Sequence, residues 1–173
     1  MNLPDININH KHKCWYAVYT IVRHEKAVNS SLINKNIDTF LPIREVVNRW
    51  KDRNKKVMLP LFPGYIFVNL DIGKKMDVLT TKGVVRILGV NGNPTPIPDQ
   101  QINSIKGLLE SSLNYDPYQF LVEGKQVKVI NGPLAGAHGK VIERRGQYRL
   151  ILSVDLIQRA VSVEIDIDDV DVI

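Results

Sequence analysis

Five short runs, QVKVI, GKVIE, YRLILSV, AVSVEID and DVDVI, crowd residues 122–173, each alternating apolar with polar side chains. A period of two puts every second side chain on one face of a strand, so this stretch reads as sheet. Strands this short and this closely spaced, broken by Gly, Pro and polar turns, predict a small all-β barrel, whose closure removes exposed edges. Upstream the period is different. In DQQINSIKGLLESSL, Ile102, Ile105, Leu109 and Leu113 recur every three or four residues, the spacing of one helix face. Between the two patterns lies NYDPYQFL, where Asp116-Pro117 breaks any regular element. The change of period therefore places a domain boundary at a linker, 114–121, between a first domain at 15–113 and the barrel at 122–173, with residues 1–14 as a flexible tail.

The first domain begins with WYAVYTIVR, rich in aromatic and β-branched residues and hence a predicted strand. In the following HEKAVNSSLINKNI, Val28, Leu32, Ile33 and Ile37 recur at helical spacing, which leaves Glu25, Lys26, Asn29 and Lys35 in water. TFLPIREVVNRW and KVMLPLFPGYIFVNL are two extended stretches around KDRNKK, whose charge and Asn54 suit a hairpin tip. In the second of them Tyr65, Phe67 and Asn69 face one way, and Ile66, Val68 and Leu70 the other. A weak helix over KKMDVLTTK, the strand VVRILGV and the Pro-rich NGNPTPIP lead to the helix opened by Asp99. The order predicts an α+β fold: an N-terminal antiparallel sheet flanked by helices, then the small all-β barrel.

The net charge of +5 is unevenly placed. Residues 1–56 hold 11 Lys/Arg against 5 Asp/Glu, whereas 57–120 hold 5 and 5, and 121–173 hold 7 and 8. A basic front suggests a polyanion or an acidic partner for the first domain and a different one for the second. No apolar run is long enough to span a membrane, and the start, MNLPDININHKHK, lacks the apolar centre of a secretory signal, so a cytoplasmic protein without a membrane partner is expected. The single Cys14 excludes an internal disulfide, and the two imidazoles of HKHK are too few for a zinc site.

Catalytic chemistry finds no support. NGPLAGAHGKV is glycine-rich but lacks the Lys-Ser/Thr ending of a phosphate-binding loop. The acids of VEIDIDD alternate with Val163, Ile165 and Ile167 as an outer strand face does, with no partnering His, Ser or Cys. No catalytic residue, no metal and no cofactor is expected. REVVNRWKDRNKK is different: six Lys/Arg and two acids surround Trp50. A basic hairpin of this kind neutralises phosphates through Arg49, Lys51, Arg53, Lys55 and Lys56 while the indole stacks on an unpaired base. Arg23, His24 and Lys26 sit where a strand gives way to a helix, and a helix N-terminus favours anions.

WYAVYT, FPGYIFV, PTPIP before a helix, VKVINGPLAGAHGKV and LILSVDLIQRAVSVEID, in this order and across this domain break, resemble the NusG family of bacterial transcription elongation factors. The resemblance spans residues 15–173. It implies a non-enzymatic factor that binds bacterial RNA polymerase through an N-terminal domain docked on the clamp helices of the largest subunit, promotes processive elongation and antitermination, and recruits a partner through an SH3-like KOW domain. It also implies that Tyr19, Phe62 and Tyr65 line the clamp-helix pocket: Pro63 fixes φ and Gly64 tolerates any backbone conformation, so two rings can be presented together at a strand mouth. The rival position for these rings is the core of the domain, where Trp15 and Phe67 are expected.

By the same resemblance, Thr80, Thr81 and Lys82 are the nearest candidates for a contact with the gate loop of the second-largest subunit, and the two basic clusters lie against DNA or RNA at the transcription bubble. Gly132, Pro133, Leu134, Gly136, His138 and Gly139, with Leu156 and Ile157, form the KOW loop and partner surface. Family partners of that surface are the termination factor Rho and the small-subunit ribosomal protein S10. The family usually carries an aromatic where this chain has Ala137, which favours S10 over Rho and a specialised antiterminator paralogue similar to RfaH or UpxY. A ribosome-associated, RNA-binding KOW protein is the alternative, for which the basic front would contact rRNA and an apolar surface dock would have no use.

Overall fold

Residues 12–49 and 54–173 are described by a computed structural model, apart from the side chains of residues 48, 49 and 54. Strand β1 (Cys14–Thr20) ends in a turn, and helix α1 (Glu25–Asn34) then lays Val28 and Leu32, neighbours one helical turn apart, against the sheet. Strand β2 (Asp38–Phe40) leads into a long ribbon of β3 (Ile43–Arg49) and β4 (Asn54–Pro60), which stands apart as its own two-stranded sheet. Strand β5 (Tyr65–Leu70) returns to pair with β1 and β2. The short helix α2 (Lys75–Leu79), strand β6 (Val84–Ile87), the small ribbon of β7 (Gly89–Val90) and β8 (Asn93–Pro94), and helix α3 (Asp99–Glu110) complete the first domain. Its central sheet runs β2-β5-β1-β6, antiparallel throughout.

Alternation along β1 and β5 divides the domain into two cores. Tyr16, Val18, Ile66, Val68 and Leu70 meet Val28 and Leu32 of α1 on one face. On the other, Trp15, Ala17 and Phe67 meet Ile97 and the α3 residues Ile102, Ile105 and Leu108. Trp15 and Phe67 are thus core residues, 8% and 0% exposed.

The second domain contains β10 (Lys125–Val129), β11 (His138–Arg144), β12 (Gln147–Val154), β13 (Arg159–Glu164) and β14 (Val170–Val172), at the five alternating runs. Their inward residues, among them Val127, Val141, Leu150, Leu152, Val161 and Val163, meet in one core. A sixth strand corrects the sequence reading: β9 (Tyr115–Tyr118), inside the stretch expected to be a linker, pairs with β13 through four residues. Asp116-Pro117 did not prevent this, because β9 is an edge strand and Pro117 needs no N–H on its open side. The sheet order is β14-β10-β11-β12-β13-β9.

The two domains are joined along α3. The helix buries Ile102, Ile105 and Leu108 in a cluster that continues into Leu134, Leu152 and Ile157 of the barrel. At its exposed margin Gln101 Nε2 donates to Asp155 Oδ2 at 2.8 Å, and the Asp155 N–H donates back to Gln101 Oε1 at 3.1 Å. One turn further along, the His138 N–H donates to Ser104 Oγ at 3.2 Å.

Candidate functional site

The mouth of β5 is built by three hydrogen bonds. Gly64 takes φ +84°, and its carbonyl accepts from the Thr20 N–H at 2.8 Å. The Tyr65 N–H donates to the Phe62 carbonyl at 3.1 Å, closing the Pro63-Gly64 turn. The Gly64 N–H donates to Glu25 Oε1 at 2.7 Å. Glu25, expected to stand in water, is only 3% exposed. The correction has a direct cause: the turn presents a buried N–H with no backbone acceptor, and a carboxylate in the first turn of α1 both satisfies it and suits the positive end of the helix. Capping-type acids are visible in a sequence, but the partner 39 residues away is not.

Tyr19 and Tyr65 are directly opposite in the β1–β5 register. Their rings lie 5.5 Å apart at 49°, both partly exposed, and the Arg86 guanidinium sits 5.9 Å above the Tyr19 ring. A Cβ on Gly64 would meet Tyr19 Cε2 at 3.1 Å and Val22 Cγ2 at 3.8 Å, so the glycine allows both side chains to close over the turn. Phe62, by contrast, is enclosed. It is 2% exposed and packs edge-on against Phe67 at 6.3 Å, within the cluster shared with the barrel. The structure therefore brings two of the three expected rings to the surface, not three. Sequence reasoning passed over exposed apolar side chains of this domain: Ile21 and Val22, read as strand, lie just after β1, with Val22 near Tyr19 at the Gly64 turn, and Val85 of β6 is likewise half exposed. The left-handed φ of +70° at Arg23 marks where β1 stops.

The basic candidates fall into two groups. Arg23, His24 and Lys26 are exposed around the start of α1, where Lys26 Nζ donates to the Met58 carbonyl at 2.9 Å and so ties the helix to β4. On the ribbon, Lys55 is exposed and Lys56 Nζ pairs with Glu45 Oε1 at 2.8 Å, a hydrogen bond that raises the lysine pKa. Trp50, Lys51 and Arg53, the Arg49 side chain and residues 1–11 of the tail lie outside the described residues.

Of the three gate-loop candidates, Thr80 and Lys82 are exposed, although the Thr80 hydroxyl donates to the Met76 carbonyl. Thr81 is 4% exposed, and its Oγ1 donates to the Asp77 carbonyl while accepting from Lys35 Nζ. Its chemistry is spent inside the domain. Next to it, Gly83 takes φ +95° against Val28.

The KOW-type loop of the barrel faces α3. Gly132 and Gly136 adopt φ +78° and +89°, and the Gly136 and Ala137 amides return to Val129 and Leu134 carbonyls. Leu134 and Ile157 are buried at 4% and 5%, Leu156 is half-buried, and a small cavity of about 220 Å³ separates Leu134 and Ala137 from Ser104 and Gly107 of the helix. Pro133 remains exposed, Gly139 is tightly enclosed by Leu150, Ile151 and Leu152, and His138 is held at the helix by its own N–H. The apolar part of the expected partner surface, Leu134, Leu156 and Ile157, thus packs in the cluster shared with the chain's own helix, while Gly132, Pro133 and Gly136 stay exposed. Among the described residues no group of three His, Cys, Asp or Glu could hold a metal, and no helix is long and apolar enough to cross a membrane.

Comparison with known proteins agrees with this architecture. The family model described as "Transcription termination factor nusG" matches residues 13–106. The transcription termination/antitermination protein NusG of Thermus thermophilus is 31% identical, the match covering 90% of this chain and 96% of that protein. Its counterpart in Lactococcus lactis is 26% identical with 98% of both chains covered. A solved structure described as "Domain interaction in Thermotoga maritima NusG" has the same fold, with a TM-score of 0.52 at 23% identity over 93% of this chain and 97% of its own.

Proposed function

The chain belongs to the NusG family, a transcription elongation and antitermination factor by that membership, and from this premise we propose that it acts by binding, without catalysis, through the Tyr19–Tyr65 surface to RNA polymerase. The observation that carries the reading is the construction of the β5 mouth. A buried carboxylate and a left-handed glycine hold two adjacent, half-buried aromatic rings at the surface, Tyr65 backed by the domain core and exposed Val22 closing over the same turn. Rings with few rotors and large faces are effective interface anchors, typically contributing about 2 kcal/mol or more each.

The clamp helices of the largest subunit are the partner surface this dock fits, with Thr80 and Lys82 at its flank for the gate loop. Arg23, His24 and Lys26 lie beside the dock and contact nucleic acid. Phe62 belongs to the dock only when the barrel moves off α3, since in the present arrangement it is covered. The same movement frees Leu134, Leu156 and Ile157 to engage a second protein such as S10.

The test is a titration of bacterial core RNA polymerase with the wild-type chain and with Tyr65→Ala at physiological salt, each protein's melting temperature being measured in parallel. Affinity should fall at least tenfold with little change in melting temperature. Loss of stability matching the loss of binding would return the ring to the core, and absence of binding by the wild type would overturn the dock.

A further inference from the structure

Two grooves meet end to end at strand β9. The first, about 800 Å³, runs between the domains over Val22, Met58, Leu59 and Pro63, with Arg23, Arg44 and Arg159 at its walls. The second, about 650 Å³, crosses the outside of the barrel between Gln119, Arg144, Arg149 and Ser162. Pro117 and Tyr118 line both. We propose that these grooves form one track for a single-stranded nucleic acid, extending from the first domain onto the barrel, with Tyr118 as the stacking face at its centre. The proposal rests on the reading of Arg23 and Lys26 as nucleic-acid contacts and extends it to barrel residues.

Charge selects the occupant. Five guanidinium groups and Lys26 line the two grooves, against only two carboxylates, Glu25 and Asp116. Glu25 is committed to the Gly64 N–H, and Asp116 lies 3.7 Å from Arg149. Among the described residues Arg23, Arg44, Arg144 and Arg159 have no ion-pair partner. Arg149 is pre-oriented: Nε and Nη2 donate to the buried Ser162 Oγ at 3.2 and 2.8 Å, which fixes the plane of its fork. Planar forks at intervals along a groove suit a phosphodiester chain better than point charges would. Between them the half-buried Tyr118 ring and the Met58–Leu59 floor offer apolar faces to unpaired bases. A duplex keeps its base faces stacked on one another, so the strand must be single.

The experiment measures anisotropy of fluorescein-labelled 12-nucleotide oligo-U and oligo-dT with the full chain across a salt series. Arg144→Gln/Arg159→Gln removes two exposed charges of the barrel half. It should weaken binding about tenfold and reduce the log K against log salt slope by about 1.4, at about 0.7 per single-strand phosphate contact. Tyr118→Ala should weaken binding about fivefold or more with the slope unchanged. Whichever oligomer binds tighter names the polymer, and either result upholds the track. If Arg23→Gln weakens binding while the barrel variants do not, the front patch stands and the track is overturned. If all bind alike, both are overturned. Polyglutamate competing as well as the oligonucleotide per charge would replace the nucleic acid by an acidic peptide. The polymerase titration without nucleic acid should be unchanged by the barrel variants, which separates this test from that of the dock.

Discussion

Glu25→Ala isolates the device on which the surface depends. The substitution removes a carboxylate that is 3% exposed and accepts the Gly64 N–H at 2.7 Å, and it leaves that donor buried without a partner. A hydrogen bond to a charged group contributes about 1.5–3 kcal/mol, and loss of an acid from the first turn of a helix costs about 0.3–1 kcal/mol more. A total of about 3 kcal/mol should lower the melting temperature of a chain of this length by about 6–12 °C, read by circular dichroism at neutral pH. Glu25→Gln keeps an oxygen acceptor but not its charge, and should fall between wild type and alanine. Released from its anchor, the turn no longer fixes Tyr65, so polymerase affinity should drop in Glu25→Ala but scarcely further in the double variant with Tyr65→Ala. A melting temperature within about 1 °C of wild type, or equal losses for glutamine and alanine, would refute the reasoning.

Two glycines should respond with opposite signs. Gly64→Ala forces a Cβ to 3.1 Å from Tyr19 Cε2 at φ +84° and should cost about 1–2 kcal/mol, whereas Gly107→Ala, inside α3 with nothing within 4 Å of the new carbon, should gain about 0.5–1 kcal/mol. Thermal melts of both would show it, and a stable Gly64→Ala would deny the tightness of the turn. At the domain margin, a double-mutant cycle of Gln101→Ala and Asp155→Ala should give a coupling of about 0.5–1.5 kcal/mol in denaturant unfolding. Strict additivity would mean that the reciprocal pair does not hold the domains together.

Where a fold rule is local, the sequence was readable. The alternation of Ile66, Val68 and Leu70 against Phe67 assigns each to the core it occupies, and the spacing of Ile102 and Ile105 marks the buried face of α3. What escaped is long-range. Glu25 looks like any solvated acid until Gly64 arrives beside it, and Phe62 looks like its neighbour Tyr65 until Phe67 and the rest of the shared core enclose it. Thr81 reads as a surface hydroxyl, yet Lys35 and Asp77 claim it from elsewhere in the chain. YDPY carries the local signature of a break and is nevertheless a strand, because an edge position forgives a missing donor. For the candidate surface, motif spacing pointed to the mouth of β5, whereas which ring is partly exposed there depends on tertiary contacts.

The pairing of β9 with β13 also sets the length of the leash between the domains. With β9 in place only Ser111 to Asn114 connect α3 to the barrel, four residues that reach about 14 Å at full stretch. Within that radius the barrel can tilt away from the helix but cannot leave its neighbourhood. Unzipping β9 would release residues 111–124 and extend the reach to about 50 Å, at the expense of a barrel edge. A second protein that captures the barrel beside the polymerase must therefore stand within one short radius of the dock, or bind tightly enough to peel a strand.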